Sequence, residues 1–447
     1  MSAQQIFRQG FWTGSNRHNQ IPDFSVRKFP CNMDNINVDF LNAYTGEHYL
    51  QGIKNYEFVK SDCSEKFVME YSDHTMGGHP SGEKESFVQK YLDTFINNPN
   101  AMLILSNVTE PADTFIWEML RYICLNMDHK SLKHRLIIVV PDSGIKFLLK
   151  EYLHNDLNCT EDLFITIYAG HLVAYEDLKN CDHNTQTVYP EPLRVSCLNG
   201  QHKSFRLYIC YKLWQAGLID KMQITYWNKT GYGNPRELSN HELIADIQVV
   251  ERKSTGSEYI DPKFNEFLDT LPLKGGAEDI EYHTTPNGKF FPWCLNESPI
   301  HIIPETLFDR PTFKHNEYPD YNAFAESVFI TEKIYRAMLT GRAFLPMAQI
   351  GMLDKLHSMG FKTFDRWWPE RELERLTNDY AGHGERFNSL VKIVGDIYNM
   401  TDLDFSKMIA EMKPTLDYNR EVMLELVANQ DRNRKQVYSK VHNWLNT

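Results

Sequence analysis

Short runs of near-continuous apolar residues, each handing over to a helical pattern, recur along this chain, and nothing else in it narrows the possible folds as much. "AMLILSNV" (Ala101–Val108) precedes "ADTFIWEMLRYICLNM". "HRLIIVVPD" (His134–Asp142) precedes "SGIKFLLKEYLHN", where Ser143 is placed to cap the helix. "EDLFITIYAGHLVAYEDL", "RVSCLNG", "KMQITYWN" (Lys221–Asn228), "SPIHIIPET" (Ser298–Thr306) and "RAFLPMA" repeat the theme. Strands that are apolar at every position are buried on both faces. When they alternate with helices, the sheet they form is parallel and the fold class is α/β.

A chain of 447 residues is too long for one core, and roughly 100–200 residues per domain gives two or three. The two prolines of "YPEPLR" (Tyr189–Arg194) read as a joint, after which the strand–helix pattern restarts. The pattern predicts an α/β domain over 1–192, a second over 193–372, and a charged helical segment over 373–447. The first ninety residues read as irregular, and 229–290 as loop-rich. "GFKTF" and the front of "SVFITEK" read as further strands, and Gly217 as the stop of the helix in "RLYICYKLWQAGLI". The basic pieces "KSLKHR" (Lys130–Arg135) and "RNRK" (Arg432–Lys435) read as solvated charges.

A net charge of −12 argues against a protein built to bind nucleic-acid backbones, while leaving room for a local basic groove. The eight cysteines include no CxxC, and several sit in apolar patterns, which suits reduced, buried thiols. No stretch approaches the ~18–20 apolar residues that span a bilayer. The start "MSAQQIFRQGFW" has no apolar signal core. These features predict a soluble, cytoplasmic protein with no membrane span.

The candidate site lies in "SVFITEKIYRAMLTGRAFLP" (Ser327–Pro346). Ligands of doubly wound sheets sit outside the carboxyl ends of strands, where strand gives way to helix. Thr331, Glu332 and Lys333 fall at such a place. One reading is helix capping alone, with Thr331 as N-cap, Glu332 favoured in the first turn and Lys333 a solvated charge. Three neighbours favour a ligand site. Glu305 also ends an apolar strand. Asn199, His202, Lys203 and Arg206 lie between a strand and a helix, where cations and amides suit phosphate. Lys333 opens its own helix, which the dipole disfavours unless an anion is near. Together they describe a nucleoside-diphosphate site, with Arg206 and Lys333 on the phosphates and Glu332 on the ribose.

"IHIIPETLFD" and "SVFITEKIYRAMLTGRAFLP" together resemble the donor-binding region of the α1,3-fucosyltransferase family, and "SCLNGQHKSFRLYICYKLWQAGLIDKMQITYW" resembles the opening of that domain. "IGMLDKLHSMGFKTFDRWW" resembles phage-encoded glycosyltransferases with the same domain. The resemblance covers roughly residues 193–370. It implies a GT-B glycosyltransferase: two Rossmann-like domains facing a central cleft, with C-terminal helices. Activity would be inverting and metal-independent, with a UDP- or GDP-linked sugar as co-substrate and no further cofactor. Arg206 and Lys333 would contact the diphosphate, aided by Lys203 and Asn199. Glu332 would bind ribose, and Glu305 would face the sugar or help hold the site. "PETLFD" and "RAFLPMAQIG" differ from the family pattern near the donor sugar, which leaves that sugar open. The acceptor is either a glycan or a hydroxymethylated base in DNA, the second implying a phage protein working in host cytoplasm. The acceptor-side base is expected in "SDHTMGGHPSGE", at Asp73 or His79, with His74 and Glu83 the other titratable groups there.

"DLD" (Asp402–Asp404) matches a metal-binding DxD, but "TDLDFSKM" reads as a helix start. The seventeen histidines show no HExxH and no Cys/His ligand spacing, so no metal is expected. Trp367 and Trp368 read as packing. Two other classes stay open: a non-catalytic nucleotide-sugar-binding protein, which keeps Arg206, Glu332 and Lys333 but lacks a base, and a structural protein reusing the fold.

Overall fold

The computed structural model describes residues 5–9, 25–29, 58–59, 67–72, 92–106, 114–140, 143–167, 193–229, 236–274, 298–305, 308, 328–375 and 381–446, apart from positions 94, 200–201, 258, 260 and 329. The chain divides into two compact units. The first joins Met1–Ala174, Phe313–Ser327 and Leu426–Thr447; the second joins Tyr175–Thr312 and Val328–Glu425. Each carries a largely parallel sheet, as the apolar runs predict. No described helix is long and apolar enough to cross a membrane.

The first unit's sheet has strands β1 (Gln5–Gln9), β2 (Ser25–Phe29), β3 (Phe58–Val59), β4 (Phe67–Ser72), β5 (Ala101–Ser106), β6 (Leu136–Val140) and β7 (Phe164–Ile167). Their order is β3-β2-β1-β4-β5-β6-β7; the pairings from β1 through β4, β5 and β6 to β7 are parallel, and the β1–β2 and β2–β3 pairings are antiparallel. Four of these strands fall in the first ninety residues, which correct the irregular reading. "QIFRQ" and "SVRKF" are short and interrupted by charge, a far weaker signal than a continuous apolar run. Helices α1 (Thr114–Asn126), α2 (His129–Arg135) and α3 (Ser143–Asn155) follow the later strands. Leu103, Leu105, Leu120, Ile123, Leu136, Ile138 and Leu149 build the core.

Arg135 corrects the reading of "KSLKHR" as solvated charge. It is buried at the junction of α2 and β6. Its Nε donates to the Ala101 carbonyl (2.8 Å) and its Nη2 to the carbonyls of Phe95 and Asn98. The guanidinium lies 4.8 Å from the Phe95 ring centroid. One side chain thus fixes the turn entering β5 to the residue entering β6.

The second unit's sheet has β8 (Val195–Asn199), β9 (Gln223–Tyr226), β10 (Leu273–Lys274), β11 (Ile300–Pro304) and β12 (Ala343–Met347), ordered β10-β9-β8-β11-β12 and parallel except for β10. Helix α4 (Ser204–Gln215) follows β8 and ends as expected. Gly217 takes φ 64°, and the Leu218 N–H returns to the Leu213 carbonyl (3.0 Å). The stretch read as loop-rich carries α5 (Asn240–Thr255), α6 (Lys263–Leu268) and β10. Its start signal was present: Ser239 and Glu242 form a reciprocal capping box, and Gly256 closes α5 in the left-handed region. Helices α7 (Glu332–Leu339), α8 (Met352–Ser358), α9 (Ala381–Asn399) and α10 (Asp402–Asn446) complete the chain.

Two strand readings are corrected here. The residues before α7 do not join the sheet, whose order is β10-β9-β8-β11-β12. Val328 and Ile330 bury their side chains without forming a strand. "GFKTF" is extended but pairs with a side chain: the Lys362 N–H donates to Asn419 Oδ1 (2.9 Å) and Asn419 Nδ2 donates to the Lys362 carbonyl (2.8 Å). That amide imitates one rung of a ladder from within α10. "TDLD" opens α10, with the Asp404 N–H donating to Thr401 Oγ1 (3.1 Å). Asp402 bonds the buried Arg194, whose Nη1 also holds the Ile397 and Met400 carbonyls at the end of α9.

Candidate nucleotide site at the strand ends

Order reverses in the second sheet between β8 and β11. The connection through α4 leads outward to β9, and the one through α7 leads the other way to β12. A switch of this kind leaves a crevice at the carboxyl ends of the two strands. Asn199 ends β8 and Glu305 immediately follows β11. Helices α4 and α7 start on that side.

Glu305 is the hub. Its side chain is 0% exposed. Its Oε1 accepts from the Thr331 N–H (3.1 Å) and its Oε2 from the Thr331 hydroxyl. Lys333 Nζ lies 3.9 Å from Oε2 and donates to Thr331 Oγ1 (3.1 Å). Thr331 is the N-cap of α7, and its Oγ1 also accepts from the Lys333 N–H (3.4 Å). That hydroxyl therefore donates once and accepts twice, its full complement. The Glu305 backbone is pinned as well. Its N–H donates to the Met347 carbonyl (3.0 Å), and Arg206 Nη2 donates to the carbonyls of Pro304 (3.1 Å) and Glu305 (3.2 Å). A carboxylate, a threonine and a lysine thus lock the start of α7 onto the end of β11. The Lys333 side chain is 23% exposed, and its ammonium is anchored on the Thr331 hydroxyl.

Arg206 is buried on α4 beneath this cluster. An aromatic column backs it: Phe205 stacks on Phe308 (5.1 Å), Phe308 on Phe387 (5.1 Å), and Tyr208 meets Phe387 edge-on (4.6 Å). The buried Arg386 lies 3.9 Å from the Phe308 centroid. Phe308 ties the chain just past Glu305 to α4 and α9.

His202 takes a different role from the phosphate contact its position suggests. Its Nε2 pairs with Asp246 Oδ2 on α5 (2.6 Å), and its Nδ1 with the Tyr226 hydroxyl. Burial lowers its pKa despite the Asp246 carboxylate, and burial raises that of Tyr226, so the phenol keeps its proton. Nε2–H then donates to Asp246, and the Tyr226 O–H donates to Nδ1. The neutral ring ties α4's approach to β9 and α5. Nothing in the sequence pattern marks Asp246 or Tyr226 as its partners, since each comes from a separate element.

Asn199 is 1% exposed. Its backbone N–H donates to Thr225 Oγ1 (3.1 Å), and its Nδ2 lies 3.3 Å from Cys197 Sγ. Lys203 is the half-buried N-cap of α4, with no capping bond from its side chain. Glu332 is the first residue of α7. Asp73, His74, His79 and Glu83 lie outside the described residues. Phe364 packs on Trp368 (5.5 Å) and Trp367 (6.2 Å), and Trp368 is buried, in line with packing.

Comparison of the chain with protein-family models, curated proteins and solved structures returns no match. The switch point gathers two helix N-termini, a partly exposed lysine beside a buried carboxylate, and a buried guanidinium. Such an arrangement suits an anion with several oxygens.

Proposed function

We propose that this chain is a nucleotide-sugar-dependent glycosyltransferase of GT-B architecture, its second unit holding the donor diphosphate at the β8/β11 switch point. The observation that carries the reading is the Glu305–Thr331–Lys333 cluster, which fixes a lysine where an anion would sit. In this reading Lys333 and the α7 N-terminus neutralise the diphosphate. Arg206 adds its charge from below, Lys203 and Asn199 border the phosphates, and Glu332 bonds the ribose. Glu305 acts through Lys333 and does not face the sugar. An acceptor hydroxyl attacks the anomeric carbon, the bond to the diphosphate breaks, and a base takes the hydroxyl proton. Asp73 and His79 remain the proposed bases. The acceptor is a glycan or a hydroxymethylated DNA base.

Lys333→Ala is expected to weaken UDP or GDP binding by roughly 10- to 150-fold, the worth of one charge-assisted contact, and to leave the parent nucleoside unaffected. Calorimetric titration of both ligands checks this. Equal losses for nucleoside and diphosphate would mean that Lys333 supports the fold rather than the phosphate.

A further inference from the structure

Three soft-metal ligands converge in the first unit, away from the switch-point cluster in sequence and in sheet. Cys124 lies near the end of α1, His129 opens α2, and Cys159 lies in the turn after α3. Their sulfurs and a His129 ring nitrogen all lie within 4.8 Å of one another. Spacing along the chain hides the cluster, because α2, β6 and α3 intervene before Cys159. The absence of Cys/His ligand spacing is therefore no guide to this group.

We propose that Cys124, His129 and Cys159 form a zinc site that staples the turn after α3 to the α1–α2 corner. Ligand atoms on a tetrahedral zinc lie about 3.3–3.8 Å apart, given bonds of roughly 2.0–2.3 Å, so small side-chain rotations close the set. The His129 ring has a backbone partner. Its Nε2 meets the Cys124 carbonyl at 3.1 Å, and since a carbonyl only accepts, the neutral ring's lone pair is on Nδ1. A ring N–H on a backbone carbonyl is the usual outer support of a metal-bound histidine. The Glu161 N–H points at the Cys159 sulfur and favours its thiolate, against the burial that raises that thiol. Zinc binds the thiolate form, so both thiols give up their protons to bind the metal. Binding therefore releases them: Zn²⁺ plus two thiols and a neutral imidazole gives a neutral Zn(thiolate)₂(imidazole) centre and two protons. Two thiolates cancel the charge of zinc, which suits a buried pair of sulfurs. His129 is half-buried, leaving the fourth position to water.

Cobalt(II) added to the reduced, metal-stripped full chain is the test. The expected result is one Co²⁺ per chain, with a thiolate-to-cobalt charge-transfer band and the visible bands of a tetrahedral site, both erased by Zn²⁺. About two protons should be released per metal, so apparent affinity rises by about 100-fold per pH unit below the thiol pKa values. Cys124→Ser should abolish the band. His129→Asn, a change at a half-buried residue, should weaken binding by more than the roughly 10–100-fold that loss of an outer partner costs. The wild-type spectrum decides the matter even if the cysteine variant fails to fold. No charge-transfer band in the reduced wild type overturns the proposal, as does a band that survives Cys124→Ser. A Cys124–Cys159 disulfide in the purified protein, with no cobalt bound after reduction, assigns the pair to redox chemistry instead.

Discussion

Replacing Glu305 by alanine lowers the stability of the second unit by about 3–5 kcal/mol, the cost of breaking a buried charge pair by removing one partner. The carboxylate is fully buried, accepts from the Thr331 N–H and hydroxyl, and lies 3.9 Å from the Lys333 ammonium. Alanine leaves two donors and a cation facing an empty space. Glutamine is the milder change. It still accepts from the Thr331 N–H, but its amide group meets a hydroxyl whose lone pairs are already used by Lys333. Its cost should fall between wild type and alanine. Hydrogen exchange of peptides from β11 and α7 in rising urea measures both variants within the right unit. A loss under about 1 kcal/mol for Glu305→Ala would show that α7 holds its place without the carboxylate.

Arg135→Leu is expected to destabilise the first unit by about 3 kcal/mol or more. Three carbonyls lose their donor at once, and an unsatisfied buried acceptor costs about 1–3 kcal/mol. Burial lowers the arginine's pKa to about 10, which leaves it charged at neutral pH. Arg135→Lys should recover only part of the loss, because a single ammonium cannot span carbonyls that the planar guanidinium reaches together. Denaturant unfolding followed through β5 and β6 peptides reads the difference. Near-wild-type stability of Arg135→Leu would mean that water replaces the guanidinium at that turn.

Sequence legibility tracked burial on both faces. β5, β6, β8, β9 and β11 were visible because a parallel strand between helices is apolar throughout. β1 and β2 were not, since polar residues interrupt them. "GFKTF" looked like a strand because Phe361 and Phe364 are buried, yet its partner is an asparagine side chain from α10. Arg135 shows the limit of reading charge as solvent: nothing in "KSLKHR" marks one of its cations as buried. At the candidate site the residue types were legible while their division of labour was not. Thr331 as N-cap and Glu305 at a strand end could be read. That Glu305 serves Thr331 and Lys333, and that His202 serves Tyr226 and Asp246, depends on contacts between elements far apart in the chain.

The place where a nucleoside diphosphate binds separates a donor site from a purely structural cluster. Hydrogen–deuterium exchange of the full chain, with saturating UDP or GDP and with the matching nucleoside, locates it directly. The expected result is diphosphate-dependent protection of the amides at the start of α4, Ser204–Ile209, and at the start of α7, Thr331–Tyr335, with β6 unchanged. Protection confined to other segments, or no change with either diphosphate, would contradict the donor site.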